Sequence, residues 1–382
     1  TPTAEASPTP SGPERVDALA RFTSANNTYD TFDTDRSRFT PFAVLIGLTN
    51  QAIVHYKDFN TGELEGAFAE SWEQPDGTTV VFKRRQGVKW HNKPPVNGRE
   101  TSAEDMKFFI ERNRDGVLQD GTEDPNFYRK SEYGTVENVE VLDNDTLRVT
   151  FSRPNPFFLS GTLAGSYAKV QAPEAVKAFE DRYQDISADL IIGTGAYILD
   201  EFNSEGTAKF IRNADFSEQV NIGGLQYFAL FTDAAAQESA FAQKQIDAFS
   251  PRTVDNLNDL LSRYDGQIWQ DRTFGGNPMA GTYYGGAPPW SDPNLIGAIF
   301  KTIDRRLMVQ QLFQGSGVMS GSVPPSQAAF AIPESELITF DGYKEDRAAE
   351  LAEARAMWEA GGGPDLGTVT IDIPDIWEGA YQ

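Results

Sequence analysis

Residues 64–113 read LEGAFAESWEQPDGTTVVFKRRQGVKWHNKPPVNGRETSAEDMKFFIERN and decide the fold. The turn Pro75-Asp76-Gly77 is followed by Thr78–Arg84, a run rich in β-branched residues that predicts a strand. Thr101-Ser102-Ala103-Glu104 has the pattern of a capping box, and from Met106 onward apolar residues recur at helical spacing. The stretch therefore predicts a strand followed by an amphipathic helix with one buried face.

Strands and helices alternate along the rest of the chain. Alternating apolar residues predict a first strand at Val16–Phe22 and a hairpin between Val139 and Phe151, with its turn at Asp143-Asn144-Asp145. The other predicted elements are the strands Lys209–Arg212 and Leu225–Phe231, the helices that begin near Pro41, Asp233, Asp292, Asp304 and Asp346, and a strand that begins at Val369. Such a mixture favours α/β or α+β lobes over a repeat or an all-β barrel.

Composition excludes several classes of function. The formal net charge of −23 disfavours a nucleic-acid partner, because phosphate backbones would be repelled. The chain has no cysteine, which excludes disulfides, thiolate metal sites and cysteine nucleophiles. Its two histidines, His55 and His91, are isolated in the sequence and predict neither a metal site nor a histidine-dependent triad. We therefore expect no catalytic residue, no cofactor and no bound metal.

The N-terminal residues 1–14 are rich in Thr, Pro and Ser and predict a disordered linker. Such a composition resembles a spacer between a membrane attachment point and a folded domain. It predicts an export segment removed upstream of Thr1, which could end at a lipid-bearing cysteine. An ordinary unpacked terminus is the alternative interpretation.

Several short motifs, taken in chain order, resemble those of the family 5 extracellular solute-binding proteins, the oligopeptide-, dipeptide- and nickel-binding group. The motifs are Leu64–Trp72, Arg85–His91, Thr101–Met106, Gly193–Tyr197, Arg212–Phe216, Gln245–Asp247 and Asp292–Arg305. The sequence departs from the family pattern at Ala196, Lys244, Asn294 and Ile296, where the family has proline, glycine and two arginines. The resemblance spans roughly residues 15–375, and its strength lies in the order of the matches.

This resemblance implies an α/β fold of the two-lobed periplasmic-binding-protein type, class II-like and of cluster C. Lobe I is expected to comprise 15–48 and 166–272, interrupted by an extra subdomain at 49–165. Lobe II is expected to begin at 273 and to be incomplete at residue 382, because family members continue through the rest of it. The implied function is capture of a solute by lobe closure and its delivery to an ABC permease with its ATPase.

The resemblance also implies ligand contacts. The region that crosses to lobe II carries Phe274, Asn277, Tyr283 and Tyr284, and the loop after the first strand carries Thr28 and Tyr29. Tyrosine offers a flat apolar face and a hydroxyl suited to peptides or sugars, although the same rings could fill a core. An oligopeptide is the expected ligand and an oligosaccharide the alternative, bound by a monomer outside the cytoplasm, either in the periplasm or lipid-anchored to the cell surface. A receptor or surface protein without transport, or a hydrolase, would be the competing functions.

Three local patterns are interpreted as structural. Gly193-Thr194-Gly195 lacks the lysine and glycine spacing of a phosphate loop, so we expect a turn that needs positive φ. His91 is expected to belong to a structural turn. Glu70, Glu104 and Asp105 are expected to be helix caps and solvated side chains.

Overall fold

The computed structural model describes residues 15–23, 29–58, 61–203, 207–228, 234–249, 251, 253–268, 288–311, 313–323, 325 and 331–368. The chain divides into two compact units at Phe249 and Ser250, and the short segment Asp58–Glu63 groups with the second unit. Each unit has its own elements and is described separately below.

The first unit contains most of the strands. Its elements in chain order are β1 (Val16–Thr23), α1 (Thr40–Thr49), β2 (Val54–Asp58), β3 (Glu63–Gly66), β4 (Ala69–Asp76), β5 (Thr79–Arg84), α2 (Ala103–Asp115), β6 (Val136–Asp143), β7 (Thr146–Phe151), α3 (Pro173–Phe179), β8 (Tyr197–Phe202), β9 (Ala208–Arg212), β10 (Ile222–Phe228) and α4 (Ala234–Ala242). The first strand, the hairpin and the strands near Lys209 and Leu225 are therefore confirmed. Asp233, predicted to begin α4, lies outside the described residues.

One sheet of this unit has the strand order β1-β10-β9-β8. Strand β1 runs parallel to β10, and the other pairs are antiparallel. Residues Ala20, Leu225, Phe210 and Leu199 are aligned across all four strands by this register. This row packs on a core that includes Phe32, Phe42 and Ile46.

A second sheet has the order β4-β5-β7-β6 and is antiparallel throughout. Its register aligns Trp72, Phe82, Leu147 and Val141 in one row, as expected from apolar residues at every second position. Helix α2 packs on this sheet, and Met106, Phe109 and Ile110 join its core. The amphipathic pattern read from the sequence is thus confirmed.

The start of α2 differs by one residue from the predicted capping box. The N-cap is Ser102, and the residue three positions later is Asp105, not Glu104. The Asp105 carboxylate accepts a hydrogen bond from the Ser102 backbone N–H at 2.8 Å. It also forms an ion pair with Arg99 at 2.6 Å. Asp105 is therefore a buried cap, which confirms the expectation of a capping role for this residue.

The second unit is helical in its described part. Its helices are α5 (Val254–Arg263), α6 (Pro293–Thr302), α7 (Arg305–Gln311), α8 (Glu334–Leu337) and α9 (Arg347–Ala360). Asp292 and Asp346 cap α6 and α9 through hydrogen bonds from backbone N–H groups, and Asp304 accepts from the Leu307 N–H at 2.9 Å. The three predicted helix starts are confirmed. The strand predicted from Val369 lies outside the described residues.

In the part of the chain that the structure describes, none of the helices combines the length and the apolar composition needed to cross a bilayer.

Candidate functional site

The carboxyl ends of β1 and β10 meet at one edge of the first sheet, because the two strands are parallel. They end at Thr23 and Phe228, and a third segment joins them through a parallel bridge between Phe22 and Ala248. Ligands of α/β proteins bind outside the carboxyl ends of parallel strands, where loops diverge from a rigid sheet. We call this region the carboxyl edge, defined by Phe22, Thr23, Tyr227 and Phe228 together with residues 29–39, the described part of the loop between β1 and α1.

An arginine–carboxylate fork fixes the third segment to β1. Arg21 donates from Nε and Nη2 to the two oxygens of Asp247, at 3.0 and 2.9 Å, and its backbone N–H donates to the same carboxylate at 2.8 Å. The Asp247 backbone N–H in turn donates to the Arg21 carbonyl at 2.8 Å. Hydrogen bonds from Arg21 lower the pKa of Asp247. Asp247, the last residue of the motif Gln245-Ile246-Asp247, therefore holds the segment around Ala248 against β1.

Polar and aromatic contacts complete the carboxyl edge. Gln237 on α4 is buried and donates to the Thr23 hydroxyl at 2.9 Å. The rings of Phe22 and Tyr227 stack with centroids 5.3 Å apart, and Phe210 meets Tyr227 edge-on at 5.9 Å. Burial raises the pKa of Tyr227. Phe22 and Thr23 on β1 and Tyr227 on β10 are thus fixed by side-chain contacts as well as by the sheet.

Tyr29 is the one predicted ligand residue that the structure describes. Its ring meets Phe202 edge-on at 5.0 Å and Phe32 at 5.9 Å, and its side chain is half-buried. The ring therefore packs against the core of the first sheet, and the residue as a whole stays partly exposed. The other predicted ligand residues, Thr28, Phe274, Asn277, Tyr283 and Tyr284, lie outside the described residues.

A buried ion network holds the loop that carries Tyr29. Arg112 on α2 donates to both oxygens of Asp33, at 2.9 and 2.7 Å, and also pairs with Asp35 and with Glu180. Gln171 donates to Asp33 and Asp35 at 3.1 Å each. Sequence reasoning missed this network, because Arg112 lies 79 positions from Asp33. The only local signal was a pair of aspartates in a loop that also carried a predicted ligand residue.

The two aspartates of the network differ in their electrostatics. Burial pushes the pKa of Asp33 upward, but the Arg112 guanidinium, Arg36 and the Gln171 hydrogen bond together outweigh burial and the pKa is lowered. Burial raises the pKa of Asp35, and Arg112 offsets it only in part while the Asp33 charge adds to it. Arg112 thus pairs with both buried carboxylates, and Asp33 has a second cation in Arg36 at 3.7 Å.

The Gly193-Thr194-Gly195 segment packs tightly against the end of α1. The Gly195 N–H donates to the Thr49 carbonyl at 2.8 Å, and a Cβ added at Gly193 would lie 1.9 Å from that same carbonyl oxygen. Neither glycine has positive φ. The expected reason for these glycines is therefore wrong: the backbones approach too closely for a side chain, and the conformation itself is one that any residue adopts.

His91 is part of this packing, as the sequence predicted. Its Nδ1 accepts from the Gly193 N–H at 3.2 Å, so Nε2 carries the proton and faces the Gly195 carbonyl at 3.4 Å. Burial lowers the pKa of His91 to about 4. Both ring nitrogens of the neutral His91 thus face backbone groups, which indicates a structural role. Nδ1 accepts a hydrogen bond and is therefore not free to bind a metal. Within the described ranges, no group of three acidic or histidine side chains is arranged to hold a metal ion.

Comparison with known proteins places this architecture in one family. The sequence profile described as bacterial extracellular solute-binding proteins, family 5 Middle, matches residues 63–376. Di/tripeptide-binding protein 1 from Pseudomonas aeruginosa (strain UCBPP-PA14) is 27% identical over 76% of this chain and 55% of its own length. The dipeptide-binding protein of Escherichia coli (strain K12) is 25% identical over 84% of this chain and 60% of its own length. The chain thus spans somewhat more than half the length of these curated relatives.

A solved structure agrees at the level of the fold. The ABC transporter-associated periplasmic binding protein DppA from Helicobacter pylori, in complex with the peptide STSA, is 21% identical with a TM-score of 0.72. The match covers 91% of this chain and 66% of that one. This likeness confirms the expected periplasmic-binding-protein fold, and the profile match over most of the chain confirms the family. The chain belongs to the family 5 bacterial extracellular solute-binding proteins.

Proposed function

We propose that this protein binds a small peptide at the carboxyl edge and delivers it to an ABC importer. The observation that carries the proposal is a pre-formed edge of parallel strands in a chain whose relatives are named for peptide binding. The edge is fixed by the Arg21–Asp247 fork, and its loop is fixed by Arg112. Because the carboxyl edge is already ordered, less entropy is lost when a flexible peptide binds there.

The ligand contacts predicted from the sequence are part of this proposal. Tyr29, a partly exposed residue, would offer an apolar face to the peptide, and Thr28 would precede it on the same loop. Phe274, Asn277, Tyr283 and Tyr284 would contribute the remaining contacts. The proposed domain boundaries are those given above, with lobe I in 15–48 and 166–272, its insert at 49–165, and lobe II from 273.

We further propose that the protein works outside the cytoplasm, binds without turnover, and hands its ligand to permease subunits with an ATPase. Membership in a family described as extracellular supports the location. Attachment through a lipid upstream of Thr1 is a separate proposal, based on the Thr/Pro/Ser-rich composition of residues 1–14.

Calorimetric titration of the purified chain with a panel of di- and tripeptides tests this function. We expect saturable binding of at least one peptide, with the recovered peptide intact by mass spectrometry after prolonged incubation. Cleavage of the peptide would contradict binding without turnover. Binding of oligosaccharides with no binding of any peptide would contradict the ligand class.

A variant of Tyr29 separates a ligand contact from core packing. Tyr29→Leu retains apolar contact with Phe32 and Phe202 but loses the flat ring and the hydroxyl, so we expect weaker peptide binding with little change in thermal stability. Phe157→Leu, at an exposed aromatic side chain outside this loop, is the control. Unchanged affinity in Tyr29→Leu would assign this ring to the core alone.

A further inference from the structure

Residues 124–129 lie between α2 and β6 and contact the loop between β1 and α1. Asp124 forms an ion pair with Arg36 of that loop at 2.7 Å, and both side chains are shielded from water. Backbone hydrogen bonds order the segment itself. The Asp124 N–H donates to the Gly116 carbonyl at 3.1 Å, and the Phe127 N–H donates to the Asp124 carbonyl at 3.2 Å. The segment is thus a fixed surface against which the loop packs.

Arg129, at the end of this segment, binds the backbone of the loop. Its Nη2 donates to the Ser37 carbonyl at 2.7 Å and lies 3.2 and 3.3 Å from the carbonyl oxygens of Thr34 and Asp35. In the part of the chain that the structure describes, no backbone N–H donates to these three carbonyls. One guanidinium therefore satisfies the acceptors of a turn that the backbone itself leaves without donors.

Arginine–tyrosine stacking reinforces this contact. The Arg129 guanidinium lies over the Tyr167 ring, with 4.3 Å between Cζ and the ring centroid, and the Arg38 guanidinium lies over the Tyr128 ring at 5.0 Å. The Tyr167 hydroxyl donates to the Arg38 carbonyl at 2.9 Å. Stacking and hydrogen bonding together restrict Arg129 to one orientation, and a lysine ammonium lacks the planar face that this arrangement uses.

Ser37 connects the Arg129 contact to the position next to Tyr29. The Ser37 hydroxyl donates to Asp30 Oδ1 at 2.7 Å, and the same oxygen accepts from the Thr31 N–H at 2.9 Å. Ser37 is buried, so water does not compete for this bond. Because Asp30 adjoins Tyr29, the residue that Arg129 binds also fixes the chain beside the ring that we propose to contact the ligand.

We infer that Arg129 is a positioning residue for ligand binding, which acts through Ser37 and Asp30 by keeping Tyr29 in the orientation that binding requires. Without Arg129 the loop would gain freedom that binding then has to remove, and this cost weakens affinity about twofold to tenfold. The inference rests on the proposed function, because it requires Tyr29 to contact the peptide. It assigns residues 124–129 of the proposed insert a part in ligand affinity, although none of them has to touch the ligand.

A double-mutant cycle tests this inference. Calorimetry gives the affinities of Ala-Ala-Ala and Ala-Phe-Ala for the unchanged chain, for Arg129→Gln, for Tyr29→Leu and for the double variant. We expect Arg129→Gln to weaken binding about twofold to tenfold when Tyr29 is present and to have no effect in Tyr29→Leu, because the ring through which it acts is then missing. Arg148→Gln on β7, where the arginine side chain is exposed and pairs with Glu140, is the control and should leave the affinity unchanged.

Ser37→Ala tests the same path with a smaller change, which matters if Arg129→Gln fails to fold. It keeps the carbonyl that Arg129 binds and removes the hydroxyl that holds Asp30. Binding should therefore weaken in the same direction, and again only when Tyr29 is present. Hydrogen exchange without peptide measures the order of the loop directly: Arg129→Gln should speed amide exchange in residues 29–37, and Arg148→Gln should not.

A purely structural role for Arg129 would lower thermal stability without this pattern of affinities. Equal affinity of Arg129→Gln, Ser37→Ala and the unchanged chain overturns the inference while leaving peptide binding intact. An equal loss of affinity with and without the Tyr29 ring overturns it as well. Failure of the unchanged chain to bind either peptide overturns both proposals.

Discussion

Arg112 and Asp33 form a two-pronged ion pair, with Nη1 donating to Oδ1 at 2.9 Å and Nη2 to Oδ2 at 2.7 Å. Their side chains are only 4% and 0% exposed. The pair connects helix α2, which packs on the second sheet, to the loop that leaves the first sheet after β1. A single guanidinium thus joins the two sheets of the first unit at the loop where we propose that the ligand binds.

Replacing Arg112 should destabilise the protein strongly. Arg112→Met removes a cation that pairs with the buried Asp33, Asp35 and Glu180. Breaking a buried pair from one side costs about 3–5 kcal/mol of unfolding free energy. Urea denaturation followed by tryptophan fluorescence measures this change. Arg114→Met, which removes a more exposed arginine of the same helix, should cost less than about 1 kcal/mol. Similar losses in the two variants would show that the network does not stabilise the fold.

Gly193→Ala tests close backbone packing. The new Cβ would lie 1.9 Å from the Thr49 carbonyl oxygen and 2.7 Å from the Asn50 amide, so either backbone has to move. We expect a loss of roughly 3 kcal/mol or more in unfolding free energy, as for other severe steric conflicts in a core. Gly47→Ala on α1 is the control, because a Cβ there meets nothing within 4 Å and alanine favours the helix. A tolerated Gly193→Ala would contradict the packing argument.

His91 should make stability depend on pH in the acid range. Its pKa is about 4 in the folded chain, against an ordinary value of about 6.5, so the unfolded chain binds the proton first. The stabilisation from His91 is therefore complete above about pH 6.5 and is lost as the pH falls towards 4. The full change in unfolding free energy that this shift in pKa produces is about 3 kcal/mol. Unfolding free energies measured across this range should decline with acidity.

The variant His91→Asn isolates this contribution. Asparagine can accept from the Gly193 N–H as Nδ1 does but does not titrate, so the difference in slope between the two proteins reports His91 alone. His55→Asn, at an exposed histidine, controls for the loss of one imidazole. Parallel pH profiles for the unchanged chain and His91→Asn would contradict the assignment.

The sequence was informative where one local pattern dictates structure. The strand Thr79–Arg84, the helix Ala103–Asp115 and the caps at Asp292 and Asp346 follow from alternation, helical spacing and side-chain capping, which act over a few residues. Local sequence patterns could not show why position 193 is glycine. The atom that excludes a side chain there is the carbonyl oxygen of Thr49, which is distant in the sequence.

The site was less predictable for the same reason. The Arg112 network depends on residues brought together from distant parts of the chain, and none of its members is unusual in sequence. Tyr29 was found through a family resemblance, and only the structure shows that its ring packs against the core while the residue stays partly exposed.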